Sequence, residues 1–232
     1  MCKLARERLR KQARRCYNRP VMKDTALKKL TTRDLVRIAL AVALNAVCAF
    51  ITIPATVPFT LQVFGIFFTL EFLGGKRGAI AVWLYLLFGA VGLPVFSGFR
   101  GGFGVLLSAT GGFIMAFAAV ALLYFVLSFF ETPAWMHYAV AAVSLLLIYF
   151  GGSAWFVFMM GGTLAHALLI CVVPFILPDV LKIVLAFALS SRLHKALAQR
   201  GAETSARNDI EDPRGGTLPN VTSTGTPIDK AK

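Results

Sequence analysis

Two charged side chains, Asp179 and Lys182, stand in the segment Pro178-Asp179-Val180-Leu181-Lys182, inside a strongly apolar stretch of the chain. On a helix this spacing puts both on one face, within reach of each other. A carboxylate there accepts hydrogen bonds from ring N–H groups, and an ammonium holds an anionic group. A closed ion pair, with Asp179 as the acid of a helix start, uses the same residues. The residues alone leave binding and pairing level. Ionisable groups among apolar spans are costly, which makes both of them functional candidates.

Arg100 is the one charge in the glycine-rich loop Ser97–Gly104. Its planar fork suits a carboxylate, although a solvated loop cation fits equally. Thr60 and Gln62, in Pro58-Phe59-Thr60-Leu61-Gln62, stand at the entrance to an apolar run. An amide there serves a ligand that both donates and accepts, and helix capping is the rival role. Asn45, in mid-span, is expected to hydrogen-bond between helices. Glu71 is expected to pair with Lys76 or Arg77, and His166 to be a satisfied interior histidine. Trp83, Trp135 and Trp155 fit interfacial or packing positions.

Several chemistries lack their residues. The sequence contains no GxxxxGK[ST] phosphate loop, HExxH, GxSxG or CxxC, and no carboxylate pair suits acid–base work. The reading is therefore of a non-enzyme with no cofactor and no metal, and any ATP-driven step falls to another chain. Cys2, Cys16, Cys48 and Cys171 read as reduced, space-filling residues.

The elements that position these groups are membrane helices. Of 232 residues, 57% are hydrophobic and 15% charged, against about 25% charged in soluble domains. The net charge of +13 is concentrated, because thirteen of the 24 Lys and Arg lie in residues 1–37. Basic clusters beside apolar runs follow the positive-inside rule, and no nucleic-acid signature accompanies them. A cleaved signal peptide is not expected, since the first apolar run is too long and lacks a small-residue cleavage site.

Thr31-Thr32-Arg33-Asp34 supplies N-cap chemistry for a first span over about 35–53, which Pro54 and Pro58 stop. Further runs cover about 59–73, 79–93, 105–130 and 134–150. The region 155–193, interrupted by Pro174 and Pro178, reads as a broken re-entrant stretch and then a helix from about Asp179. The expected fold is all-α, a polytopic bundle of about six transmembrane helices with both termini cytoplasmic. Residues 1–31 form a basic head, 32–195 the membrane domain, and 196–232 a polar tail expected to be disordered. The outer loops, about 54–58, 94–104 and 151–162, contain Arg100 as their one basic residue. Five Gly-Gly pairs between positions 74 and 162 suit tight turns and close helix packing. Ala39, Ala43 and Ala46 make a small-residue stripe on the first span, against which another helix can pack closely.

The order of motifs resembles a known family. Val57-Pro-Phe-Thr-Leu-Gln62, Gly75-Lys-Arg-Gly-Ala79, Tyr85, Gly89-Ala-Val-Gly-Leu-Pro-Val-Phe96, Gly101-Gly-Phe-Gly104, Thr110-Gly-Gly-Phe113 and Pro178-Asp-Val-Leu-Lys182 follow in sequence. Together they are similar to BioY, the biotin-binding S component of energy-coupling-factor (ECF) transporters, over about residues 32–195. The resemblance implies an S-component-like six-helix fold in the plasma membrane and biotin capture from outside. It also implies partnership with an ECF T component and two ABC-type ATPase subunits. Ala39 and Ala43 then face the T component, Asp179 and Lys182 belong to the biotin pocket, and Gln62 and Arg100 match pocket-side positions. Asp179 and Gln62 are expected at the ureido end and Lys182 or Arg100 at the carboxylate, with Phe59, Tyr85 and Phe96 as walls. The 54–58 and 94–104 segments would gate access. The chain departs from the family at Leu107-Ser-Ala-Thr110, where Gly-Pro-Thr is usual, and at Glu71, a normally apolar site. An S component for another vitamin, an intramembrane enzyme using Asp179 or His166, and an assembly subunit without a ligand are the competing functions.

Overall fold

The computed structural model describes residues 31–53, 58–130 and 133–211. The basic head through residue 30, the tail from residue 212 and the loop tip at 54–57 lie outside the described residues, and with them part of the predicted head, tail and gate.

Helix α1, Thr32–Phe50, begins where the cap chemistry predicts. Thr31 and Asp34 form a reciprocal capping box, with the Thr31 hydroxyl donating to the Asp34 carboxylate at 2.9 Å. That hydrogen bond comes first, ahead of the Arg77 and Arg37 guanidiniums, in holding the Asp34 carboxyl below the usual carboxylate range. Arg77 Nε lies 3.3 Å from Asp34, so the start of α1 is tied to the helix that carries Arg77.

After α1 a two-residue ladder joins β1, Thr52–Ile53, to β2, Phe59–Thr60, antiparallel, with Thr52 opposite Thr60. The sequence predicts no strand here, and two-residue strands leave no alternation to read. Then come α2 (Gln62–Leu73), α3 (Gly75–Val91), the short α4 (Phe103–Leu106), α5 (Gly111–Leu127), α6 (Ala134–Met160), α7 (Leu164–Cys171) and α8 (Val173–Glu211). Six of these eight helices have at least 12 residues.

Three boundaries differ from expectation. The fourth span starts at Gly111 rather than Val105, because α4 and a turn occupy the intervening residues. Helix α6 runs straight through Gly151-Gly152 to Met160, where a loop was expected. In a water-poor setting the helix is the conformation that satisfies the backbone, so two glycines do not end it. Finally, α8 starts at Val173, not Asp179. Pro174 falls in its first turn, where a missing N–H costs little, and Pro178 is accommodated inside the helix.

Helix α3 packs against α1, α2 and α5, and α5 packs against α6. Their facing sides supply a core that includes fully buried Ile66, Phe67, Val82, Tyr85, Val120 and Tyr124. Close approach of α5 and α6 depends on glycine. A Cβ on Gly112 would lie 2.2 Å from Trp155, and one on Gly152 would lie 2.2 Å from Phe113. Helix α8 is different, because its backbone stays farther from the other helices. Long side chains reach it instead, among them Tyr138 stacked on Phe187 and Phe59 stacked on Phe175.

The outside of the bundle is apolar, with Leu40, Val47, Leu146, Phe150, Phe158 and Leu177 all exposed. Trp135–Met160 and Val173–Arg200 are long and apolar enough to cross a bilayer, while Gln62–Leu73 and Gly111–Leu127 are apolar but shorter. At about 1.5 Å per residue α2 is roughly 18 Å long, short of a hydrocarbon core of about 30 Å. The architecture is a helical membrane bundle with one two-residue β ladder. Close contacts divide the chain into Met1–Lys195 and Ala196–Lys232, and α8 runs from the first unit into the second.

Candidate ligand-binding site

The loops that follow α1 and α3 meet at one end of Met1–Lys195, and there the helices line an open-mouthed cavity. Aromatic and aliphatic walls come from Phe96, Phe113, Ile114, Phe117 and Ile148, with polar groups from Thr60, Gln62, Arg100, Tyr149, Asp179 and Lys182. A mostly apolar hollow with a few convergent polar groups is the usual form of a small-molecule site.

Asp179 and Lys182 are both buried, and they are closed on each other with Lys182 Nζ 2.8 Å from Asp179 Oδ1. The pairing reading of the sequence is therefore realised, yet both residues also line the cavity. Two more groups complete the arrangement. Tyr149, on α6, donates its hydroxyl to Asp179 Oδ2 at 3.0 Å. The Lys182 ammonium sits 3.8 Å from the centre of the Phe59 ring, a cation–π contact that the stacked Phe175 ring backs. Burying a charge pair is costly, and the Tyr149 hydroxyl and the Phe59 ring face offset part of that cost here.

A second chain of contacts fixes Gln62. The Tyr85 hydroxyl donates to the Val95 carbonyl at 3.1 Å, so its oxygen must accept from Gln62. Gln62 accordingly presents Nε2 to Tyr85 at 2.9 Å. That orientation follows from donor and acceptor counting. Tyr85 also meets Phe96 edge-on, with centroids 5.7 Å apart. Phe96 in turn covers Gly89, where a Cβ would lie 2.1 Å from its ring. Thr60 Oγ1 accepts the Gln62 backbone N–H at 3.3 Å, but Leu61 is the N-cap of α2 and the helix has no side-chain cap, so the capping role is not the one realised, and Thr60 also lines the cavity.

Arg100 stands at the mouth on a hairpin whose Phe96 N–H donates to the Arg100 carbonyl at 3.0 Å. Its Nε donates to Ser97 O at 3.2 Å. Ser97 and Thr52 hydroxyls lie 3.0 Å apart, and the Phe99 ring stacks on Phe50 at 4.3 Å, so this loop is fastened to the end of α1.

Of the wall residues predicted from sequence, Phe96 lines the cavity, Tyr85 lies behind Gln62, and Phe59 lies behind Lys182. Tyr149 and Phe175 were missed. Each is an aromatic residue in a long apolar run, where nothing distinguishes a ligand-facing ring from a packing one. Asn45 behaves as expected, bonding Thr69 across helices at 3.1 Å. Glu71 does not meet the basic pair as predicted. It reaches His137 Nδ1 at 3.3 Å, far along the chain on α6, because α2 directs it into the bundle. His166 is exposed rather than interior, since α7 turns it outward. Ala39 and Ala43 are exposed on α1, away from the core. Among the described residues no cluster of His, Cys, Asp or Glu suits a metal ion.

Comparison with known proteins gives the same outline. The chain is 37% identical over 170 residues to "Biotin transporter BioY" of Thermotoga maritima, covering 72% of this chain and 99% of that protein. It is 34% identical over 165 residues to "Probable biotin transporter BioY" of Pyrococcus horikoshii, covering 71% and 98%. The crystal structure of the S-component for biotin from an ECF-type ABC transporter superposes with a TM-score of 0.65 at 26% identity, over 74% of this chain and 95% of that one. The sequence model of the BioY family matches residues 22–199, and the chain belongs to that family.

Proposed function

We propose that this chain is a substrate-binding S component that captures biotin from the outside of the cell and takes it up together with an ECF ATPase module. The observation that carries the reading is the convergence of Asp179, Lys182, Gln62 and Arg100 on one largely apolar cavity. Biotin offers an apolar bicyclic body, a ureido group with two N–H donors and a carbonyl, and a carboxylate tail. The Asp179 carboxylate and the Gln62 carbonyl, whose Nε2 is already committed to Tyr85, are acceptors for the ureido N–H groups. Thr60 offers a hydroxyl donor. Arg100, at the mouth, and Lys182 are the cations for the tail. The names of the related biotin transporters support the same choice of ligand.

The orientation follows from charge. Lys76 and Arg77 lie at the end of the bundle opposite the cavity, beside the start of α1, which carries Arg33 and Arg37. The positive-inside rule puts that end in the cytoplasm and opens the cavity outward, in a multi-pass plasma-membrane protein with cytoplasmic termini. The exposed Ala39 and Ala43 on α1 are the face for a T component, with two ABC-type ATPases supplying hydrolysis. The chain itself performs no chemistry on its ligand. Competition binding against thiamine and riboflavin tests the choice of vitamin: biotin alone should displace labelled biotin, and displacement by either of the others at similar concentration would overturn it.

A further inference from the structure

Resting on the biotin reading, we propose that Tyr149 is a positioning residue that aims the Asp179 carboxylate at the ureido group and so sets the preference for a ligand bearing free ring N–H donors.

Helix α8 carries Asp179 and Lys182, yet its backbone keeps its distance from the neighbouring helices. Its orientation therefore depends on side chains that bridge the gap. The Tyr149 hydroxyl, on the well-packed helix α6, crosses it and donates to Asp179 Oδ2 at 3.0 Å, with both residues buried. Lys182 holds the other oxygen at 2.8 Å. A carboxylate has about four lone-pair positions. Two donors on two oxygens leave one position on each. Both residues line the cavity, so a ligand reaches Asp179 with its plane already fixed.

The geometry also separates the roles of the two donors. Lys182 is on the same helix as Asp179, three residues on, and moves with it. It cannot fix that helix against the bundle. Tyr149 can, because it belongs to an element that packs along α5 and shares no loop with α8. Removing its hydroxyl leaves the Asp179–Lys182 pair intact, frees the carboxylate to rotate, and leaves Oδ2 short of a donor inside a low-dielectric site. The effect should fall on the ligand groups that Asp179 meets, and not on the carboxylate end of the ligand.

The test uses the full chain in detergent, with biotin and an N-methylated ureido analogue as probes. Tyr149→Phe should weaken biotin about tenfold, the usual scale for a lost hydrogen bond to a charged group. The ratio of biotin to analogue affinity should fall by a similar factor, and this ratio does not depend on the fraction of protein that is folded. In an Asp179→Asn background the same substitution should change biotin affinity less than about twofold. An unchanged ratio, or an equal loss in both backgrounds, would assign Tyr149 to packing and overturn the proposal while leaving the biotin reading standing. Failure of the wild-type chain to bind biotin would overturn both.

Discussion

Lys182 is held 2.8 Å from Asp179 while both face the same cavity, so an incoming ligand meets a compact dipole and not a lone charge. Desolvating a single ion in an apolar setting costs several kcal/mol, about the scale of a binding energy. The pair lowers that cost in the empty site, and the two residues can still address opposite kinds of ligand group. On its other side the Lys182 ammonium lies 3.8 Å from the centre of the Phe59 ring.

Removing one member of this pair should be severe. Asp179→Ala leaves a buried ammonium without its counter-ion, which typically costs 3–5 kcal/mol. Biotin uptake at limiting concentration should drop at least about a hundredfold, while His166→Ala, on the exposed face of α7, should leave it within about twofold. Similar uptake by the two variants would remove Asp179 from the site.

Gly89 should tolerate no side chain. Its missing Cβ is the space that Phe96 fills, and an added methyl would stand 2.1 Å from that ring. Gly89→Ala should lower stability by about 1–3 kcal/mol. It should also weaken biotin binding, because Phe96 is a cavity wall and meets Tyr85 edge-on. Wild-type melting and affinity in this variant would contradict the packing described.

Glu71 separates structural charge from functional charge. It is buried, pairs with His137 at 3.3 Å, and one of its oxygens has no hydrogen-bond partner. It lines no part of the cavity. Removing one member of a buried pair leaves the other without a partner, here the His137 ring, and that costs stability. Glu71→Leu should therefore keep biotin affinity within about twofold while lowering the melting temperature, because His137 loses its partner. A tenfold loss of affinity would show that the two buried charge clusters are coupled.

Ala43 addresses the partner. It is exposed on α1, one turn from the equally exposed Ala39. Close helix approach requires small residues at such positions. Ala43→Trp should abolish co-purification with a T component and leave biotin affinity unchanged. Retained assembly would move the docking face elsewhere.

What the sequence made legible was local. The spacing of Asp179 and Lys182 was enough to put them on one face, and the Thr31–Asp34 box was enough to start α1. Pairings over long separations were not legible. Tyr149 and Asp179 are 30 residues apart, and Glu71 and His137 are 66 apart, so each depends on how helices are arranged and not on any local pattern. Helix α6 passes through Gly151-Gly152 for the same reason. Glycine punctuates a chain in water, but between membrane helices Gly152 makes room for Phe113.

Equilibrium binding of biotin to the purified chain in detergent tests the central claim most directly. Saturable binding at nanomolar to micromolar concentration, weakened at least about tenfold but still measurable in Asp179→Asn, is the result predicted. No binding in that range, or binding that Asp179→Asn leaves untouched, would contradict it.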